Sequence, residues 1–269
     1  MKLAICSIAS GSSGNSYLVR TQNTAVLVDA GISGKQISQG LGALGLTMKD
    51  LSALLVTHEH SDHIRGLKPA SRASGACVYA SPGTLGAIPF SGELERTECI
   101  LPGDELLIGD LTIKCFPTSH DAAEPLGFCF RAAGRQISIV TDTGIITNAC
   151  YQHIKEADIL VLESNHDESM LRMGRYPWFL KQRILSERGH LSNDAAANAL
   201  LEVLREEAEL TGQTKSRLVL LAHLSKENNF PEMALATMSN ILRAGGFSEG
   251  KDLKIRVLSR TEQSPLYIL

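Results

Sequence analysis

Six consecutive residues, His58-Glu59-His60-Ser61-Asp62-His63, bring three imidazoles and the Asp62 carboxylate together directly after the run Leu54-Leu55-Val56-Thr57. Imidazole nitrogen and carboxylate oxygen are the donors that hold zinc and other divalent transition metals. The spacing suits two ions better than one. On an extended segment His58 and His60 point the same way and can share an ion. Asp62 and His63, past the turn, can face a second. A solvated polar loop is the alternative, and four ligand-type residues in H-x-H-x-D-H order speak against it.

This motif resembles the signature of the metallo-β-lactamase superfamily, and the resemblance implies further ligands elsewhere in the chain. Asp29 ends the strand-like Ala25-Val26-Leu27-Val28, His120 follows the strand-like residues 111–116, Asp142 ends 137–141 and His223 ends 218–222. Each stands where an apolar run stops, and loops at strand ends are accessible yet held by a rigid sheet. The resemblance then assigns His58, His60 and His120 to one metal and Asp62, His63 and His223 to a second, with Asp142 bridging. Asp29 accepts a hydrogen bond from a ligand histidine and fixes its tautomer; Asp62 also orients the attacking water. Two divalent ions are expected, with zinc the default and manganese or iron nearly as suitable for mixed nitrogen and oxygen donors.

The elements that must position these residues come from an ordinary globular composition: 269 residues, 43% hydrophobic and 20% charged,. No apolar run reaches the length of a membrane span, and the opening Met1-Lys2-Leu3-Ala4-Ile5-Cys6 has too short an apolar core for a signal peptide. Six scattered cysteines without a C-x-x-C pair read as buried free thiols of a cytoplasmic protein,. A net charge of −3 argues against a broad nonspecific nucleic-acid surface. It leaves a phosphodiester substrate open, because bound ions bring positive charge that a formal count omits.

Strands are expected near 2–8, 16–20, 24–29, 126–132, 136–141, 159–162 and 254–258, and leading into His58 and His223. Helices are expected over roughly 35–44, 63–73 (kinked or broken at Pro69), 177–188, 192–210 and 231–244. A hairpin is expected around Pro102-Gly103-Asp104 and then Gly109-Asp110. In the 192–210 helix Ser192 or Asn193 caps, Asp194 meets the positive end of the dipole, and Ala196, Leu200, Val203 and Leu204 form the apolar stripe. Glu202, Arg205, Glu206, Glu207 and Glu209 form its solvated face, and 208–216 reads as a loop. Pattern alone gives a single α/β domain, residues 1–269; the resemblance implies a four-layered αββα sandwich.

Four further segments narrow the resemblance: Ser10-Gly11-Ser12-Ser13-Gly14-Asn15-Ser16, Glu163-Ser164-Asn165-His166-Asp167, Gly189-His190-Leu191-Ser192-Asn193, and His223-Leu224-Ser225-Lys226-Glu227-Asn228-Asn229. With the metal motifs they resemble the YycJ (WalJ) family across essentially the whole chain. That resemblance implies a DNA exonuclease acting from the 5′ end. Ser12, Asn15, Asn193 and Lys226 are the expected substrate contacts, and His190 the proton donor to the leaving oxygen, held by a carboxylate such as Glu163. His166 is left open between structural and functional roles. The ligand set by itself also fits an esterase, thioesterase or lactonase, or tRNA processing of the RNase Z type, although the long arm RNase Z uses for tRNA has no counterpart here.

Overall fold

The computed structural model describes residues 2–269. The chain folds as two compact units, the first made of the chain through Pro117, Ala122–Gln136 and Ser259–Leu269, the second of Thr118–Asp121 and Ile137–Leu258.

In the first unit, strands β1 (Ala4–Ala9), β2 (Ser16–Arg20), β3 (Ala25–Val28), β4 (Ala53–Leu55), β5 (Cys77–Ala80) and β6 (Thr97–Cys99) join the C-terminal strand Tyr267–Ile268 in one mixed sheet. The pairs β1–β2 and β2–β3 are antiparallel, and β3 through β6 run parallel. β1, β3 and β4 are buried along their whole length, which is why they read as unbroken apolar runs,. The helix Gly34–Ala43 starts on a Ser33–Gln36 capping box and buries Ile37 and Leu41 in the core with Leu18, Leu27, Leu54 and Leu67,. A Cβ on Gly40 would lie 2.6 Å from Ile8 Cγ2, so glycine sets the helix's close approach to β1. β7 (Glu105–Ile108), β8 (Leu111–Pro117) and β9 (Leu126–Ala132) pair antiparallel.

Two expectations change here. The hairpin closes at Gly109-Asp110, between β7 and β8. The turn at Pro102-Gly103-Asp104 instead takes the chain from β6, which pairs with β5, to β7, which pairs with β8. The break expected at Pro69 falls earlier, between the helices Ser61–Ile64 and Leu67–Ser74. Pro69 then lies in the first turn of the second helix, where its missing N–H is not needed. The break is at Gly66, where a Cβ would lie 2.1 Å from Ile32 O.

In the second unit, β10 (Arg135–Val140), β11 (Ile159–Glu163), β12 (Arg217–Ala222) and β13 (Leu253–Val257) form a parallel array in that order. Parallel neighbours need crossovers, which here carry the helices Asn148–Glu156, Asn193–Thr211 and Pro231–Ala244. Ser192 is the cap of the second, accepting from Ala195 N at 3.1 Å, and the helix runs on to Thr211 before Gly212 ends it at φ 76°. Its solvated face is narrower than expected. Glu207 is buried against the Arg217 guanidinium, and Glu206 takes the Tyr151 hydroxyl at 2.7 Å and the Lys155 ammonium. All six cysteines are free thiols, and only Cys99 is exposed. Among the described residues no helix is long and apolar enough to cross a membrane.

Candidate metal centre

In the first unit the motif is held by a weave of backbone bonds at the ends of β3 and β4. Asn15 N donates to Asp62 O, Ala30 N to His63 O and Gly31 N to Asn15 O, each at 2.8 Å. A Cβ on Gly31 would sit 1.6 Å from Asp62 O, so this crossing admits only glycine. Asp29 follows β3 with φ 59°, and its carboxylate accepts from Thr57 N (2.9 Å), Thr57 Oγ1 (2.9 Å) and His63 Nδ1 (2.8 Å). Thr57 Oγ1 therefore spends its hydrogen on Asp29 and accepts from His58 Nδ1 at 3.0 Å. The His58 ring centre lies 4.5 Å from that of His60 and 4.0 Å from that of His63. Asp62 Oδ2 stands 3.6 Å from His63 Nε2. Glu59, the motif's other carboxylate, turns away and accepts from Ala123 N at 2.9 Å.

In the second unit His120 is buried and its Nδ1 donates to Gly189 O at 3.0 Å, while the Arg188 guanidinium donates to His120 O. Burial holds the His120 pKa down, so the ring is neutral, as a ligand must be,. Asp142 and His223 follow β10 and β12, both with φ 56°. Asp142 Oδ1 lies 3.4 Å from His223 Nδ1, 3.8 Å from His190 Nδ1 and 4.0 Å from His120 Nε2. Glu163, the last residue of β11, is fully buried among them. Its Oε1 accepts from both His190 Nδ1 (2.7 Å) and His223 Nδ1 (2.9 Å), and its Oε2 from Thr143 N (2.9 Å). Burial opposes ionisation of this carboxyl, but the two imidazoles outweigh it and hold its pKa far below the carboxylate range. His190 sits just before the capped helix, with its side chain 20% exposed.

The remaining expected residues divide by burial. Ser12 and Lys226 are exposed. Asn15 is buried, accepts from Gly11 N at 2.9 Å and lies 3.1 Å from His63 Nε2. Asn193 is buried too, accepting from Ser164 Oγ (2.6 Å) and Asn229 Nδ2 (2.9 Å). Both frame the loops around them. His166 is buried, and neither ring nitrogen has a hydrogen-bond partner among the described residues; burial pushes its pKa down to about 4. Sequence reasoning passed over Thr57, which braces Asp29 and His58, and Asn165, whose amide donates to His223 O at 2.8 Å. Thr57 had a signal, a polar residue ending an apolar run next to the motif. Asn165 had none.

The donor set fits a divalent metal. Gly189 O can only accept, and Asp29 and Glu163 are carboxylates, so His120, His63 and His223 carry their proton on Nδ1; His58 does so through Thr57. All four rings thus carry their lone pair on Nε2, the atom that could coordinate, with the other nitrogen anchored, as in metal-ligating histidines generally; the His63 lone pair faces Asn15 Nδ2 at 3.1 Å. Asp142, Glu163, His190 and His223 offer donor atoms within 4.8 Å of one another. Because Glu163 already takes both Nδ1 protons, it orients these rings instead of competing for an ion.

Residues 24–212 match the family described as the beta-lactamase superfamily domain, a span that runs from before Asp29 to beyond His190. The chain is 40% identical to Exodeoxyribonuclease YycJ of Bacillus anthracis over 95% of each chain. It is 38% identical to Exodeoxyribonuclease WalJ of Streptococcus pneumoniae serotype 2 over 96% of this chain and 95% of that one. The chain belongs to the YycJ/WalJ family of the metallo-β-lactamase superfamily. A solved metallo-β-lactamase fold protein, YhfI of Bacillus subtilis, shares the fold over 100% of both chains with a TM-score of 0.73 at 16% identity. The expected metallo-β-lactamase-like α/β fold is therefore the one found, in a family of metal-dependent hydrolases.

Proposed function

We propose that this chain is a two-metal phosphodiesterase that degrades DNA as an exonuclease from the 5′ end. One observation carries the reading. Four histidines, His58, His63, His120 and His223, have Nδ1 fixed by an acceptor, and Glu163 joins His223 to the partly exposed His190. The names of the full-length relatives support DNA as the substrate. His58, His60 and His120 would hold one ion, Asp62, His63 and His223 the other, and Asp142 would be shared; zinc, manganese or iron suits this set. When bound, such ions neutralise the phosphate and make water a nucleophile near neutral pH. Asp62 orients that water, and Asp29 fixes the His63 tautomer. His190, with Nδ1–H bound by Glu163, gives a proton from Nε2 to the leaving oxygen. The exposed Ser12 and Lys226 contact backbone phosphates. Six free thiols suit a reducing compartment, and we assign the cytoplasm,.

The test offers zinc- or manganese-loaded protein 5′-phosphorylated duplex DNA, single strands, tRNA precursors, lactones and thioesters. Stepwise shortening of DNA from the 5′ end is expected; turnover of a lactone or thioester with no nucleic acid cleaved overturns the reading. On DNA, His190→Ala should keep its metal and melting temperature while turnover falls by roughly 10²–10⁴-fold. The fall should be smaller on a nitrophenyl phosphodiester, whose leaving group needs no proton. An equal fall on both removes the acid role.

A further inference from the structure

Between Glu163 and His190 the chain makes an excursion whose surface the proposed chemistry does not use. It leaves at the end of β11 and returns at His190, so both its ends are fastened to one 2.7 Å hydrogen-bonded pair. The short helices Glu168–Met173 and Trp178–Ile184 lie along it. The residues between Glu163 and His190 carry five lysines and arginines against three carboxylates, Asp167, Glu168 and Glu187, in a chain of net charge −3; Lys181 is buried, its ammonium on Arg172 O. Large apolar side chains on the same stretch face outward: Met173 is 83% exposed, Phe179 72% and Trp178 64%. Arg172, Arg175 and Arg183 are exposed among them; Arg172 and Arg183 pair with Glu168 and Asp121, and Arg175 sits between the two helices. A hollow of 390 Å³, lined by Met170, Met173, Arg175, Tyr176 and Glu227 among others, opens in this stretch.

Aromatic faces interleaved with guanidinium groups match an unpaired nucleic-acid strand, whose bases stack while its phosphates are neutralised. A duplex buries its base faces and offers only their edges, so exposed rings select a single strand. A purely apolar partner would leave the exposed Arg175 without counter-charge, because of these arginines only Arg172 and Arg183 are paired among the described residues. We infer that this excursion binds the single-stranded part of a DNA substrate, with Trp178 and Phe179 stacking on bases and Arg175 meeting phosphate. The inference rests on the nuclease reading, and the excursion that carries this surface ends at the residue proposed to protonate the leaving oxygen.

Trp178 is the chain's single tryptophan, so its emission reports on this surface alone. Metal-loaded protein is titrated with a 5′-phosphorylated phosphorothioate oligothymidylate, which resists hydrolysis. Saturable quenching is expected, with weaker binding of a blunt duplex. Phe179→Ala should raise Kd about tenfold, as stacking on one base requires. Arg175→Ala should flatten the slope of log Kd against log salt by about 0.7. Both variants should keep the metal content and melting temperature of the parent. Hydrolysis of DNA with unchanged Trp178 emission and unchanged affinity in Phe179→Ala overturns this surface and leaves the nuclease reading standing. Absence of any nucleic-acid cleavage together with thioester turnover removes both. A dimer that Trp178→Ala converts to monomer, with oligonucleotide affinity unaltered, shows a contact between copies and overturns the inference.

Discussion

Asp29, Asp142 and His223 hold φ between 56° and 59°, a left-handed backbone at the ends of three strands. A residue with a Cβ pays about 1–3 kcal/mol to stay there, so glycine would serve if these positions only turned the chain. In each case it is the side chain that is used: Asp29 takes three hydrogen bonds, His223 reaches Glu163, and Asp142 stands within 4.0 Å of three imidazoles. Asp142→Gly separates strain from function, because it relieves the backbone and deletes the carboxylate. We expect metal-free Asp142→Gly to be at least as stable as the parent, and its turnover under saturating metal to fall well below that of Asp29→Asn. The latter should lose roughly 10–100-fold, the usual worth of a group that orients a ligand. Near-normal turnover of Asp142→Gly would refute the shared-ligand role.

The loop that follows β11 shows how an element converts burial into a pH response. His166 lies there, enclosed and with its pKa pushed down to about 4 by burial. The sign follows from where the proton binds. An unfolded histidine protonates near pH 6.5 and the folded one only near pH 4, so acid favours the unfolded chain across that interval. The stabilisation is complete above pH 6.5 and is lost as the pH falls toward 4, reaching roughly 2 kcal/mol by pH 5. Urea unfolding of the parent and of His166→Gln at pH 7 and pH 5 isolates it: the parent should lose that much more than the variant. Equal losses would mean that His166 is protonated at no cost inside the fold. The neighbouring elements also mark what a sequence can carry. Asp29, Asp142 and His223 were legible because each ends a short apolar run, and the parallel strands β3, β4, β10, β11 and β12 make such runs continuous,. Glu163 stands at the same kind of strand end and holds His190 as expected, yet its hold on His223, 60 residues away, depends on how β11 and β12 pair. The burial of Glu207 likewise depends on Arg217, which reaches it from β12 and not from its own helix. Of the two turns expected in the hairpin, Gly109-Asp110 closes it and Pro102-Gly103-Asp104 does not, because a proline-glycine turn looks alike whether it joins two paired strands or carries the chain between separate ones,.

For the molecule as a whole, the formal charge of −3 sets the terms on which it can meet a polyanion. That charge argues against a broad attraction to DNA and in favour of local positive charge, and two divalent ions would by themselves outweigh the chain's net charge. Metal should therefore govern stability and affinity together, by separable routes. An ion that binds only the folded chain raises the unfolding free energy with concentration, by about 2.7 kcal/mol at a hundredfold excess over its Kd. The same ion supplies the positive charge that a phosphate requires. We expect elemental analysis of the reconstituted protein to saturate at about two transition-metal ions per chain, as a dinuclear hydrolase requires. Chelation should lower the melting temperature and abolish hydrolysis, and re-addition of zinc or manganese should restore both. Asp62→Ala and His223→Ala should each reduce the saturating metal content. A plateau near one ion per chain that neither substitution changes would rule out the two-metal assignment, and would leave a single ion to account for whatever hydrolysis the protein performs.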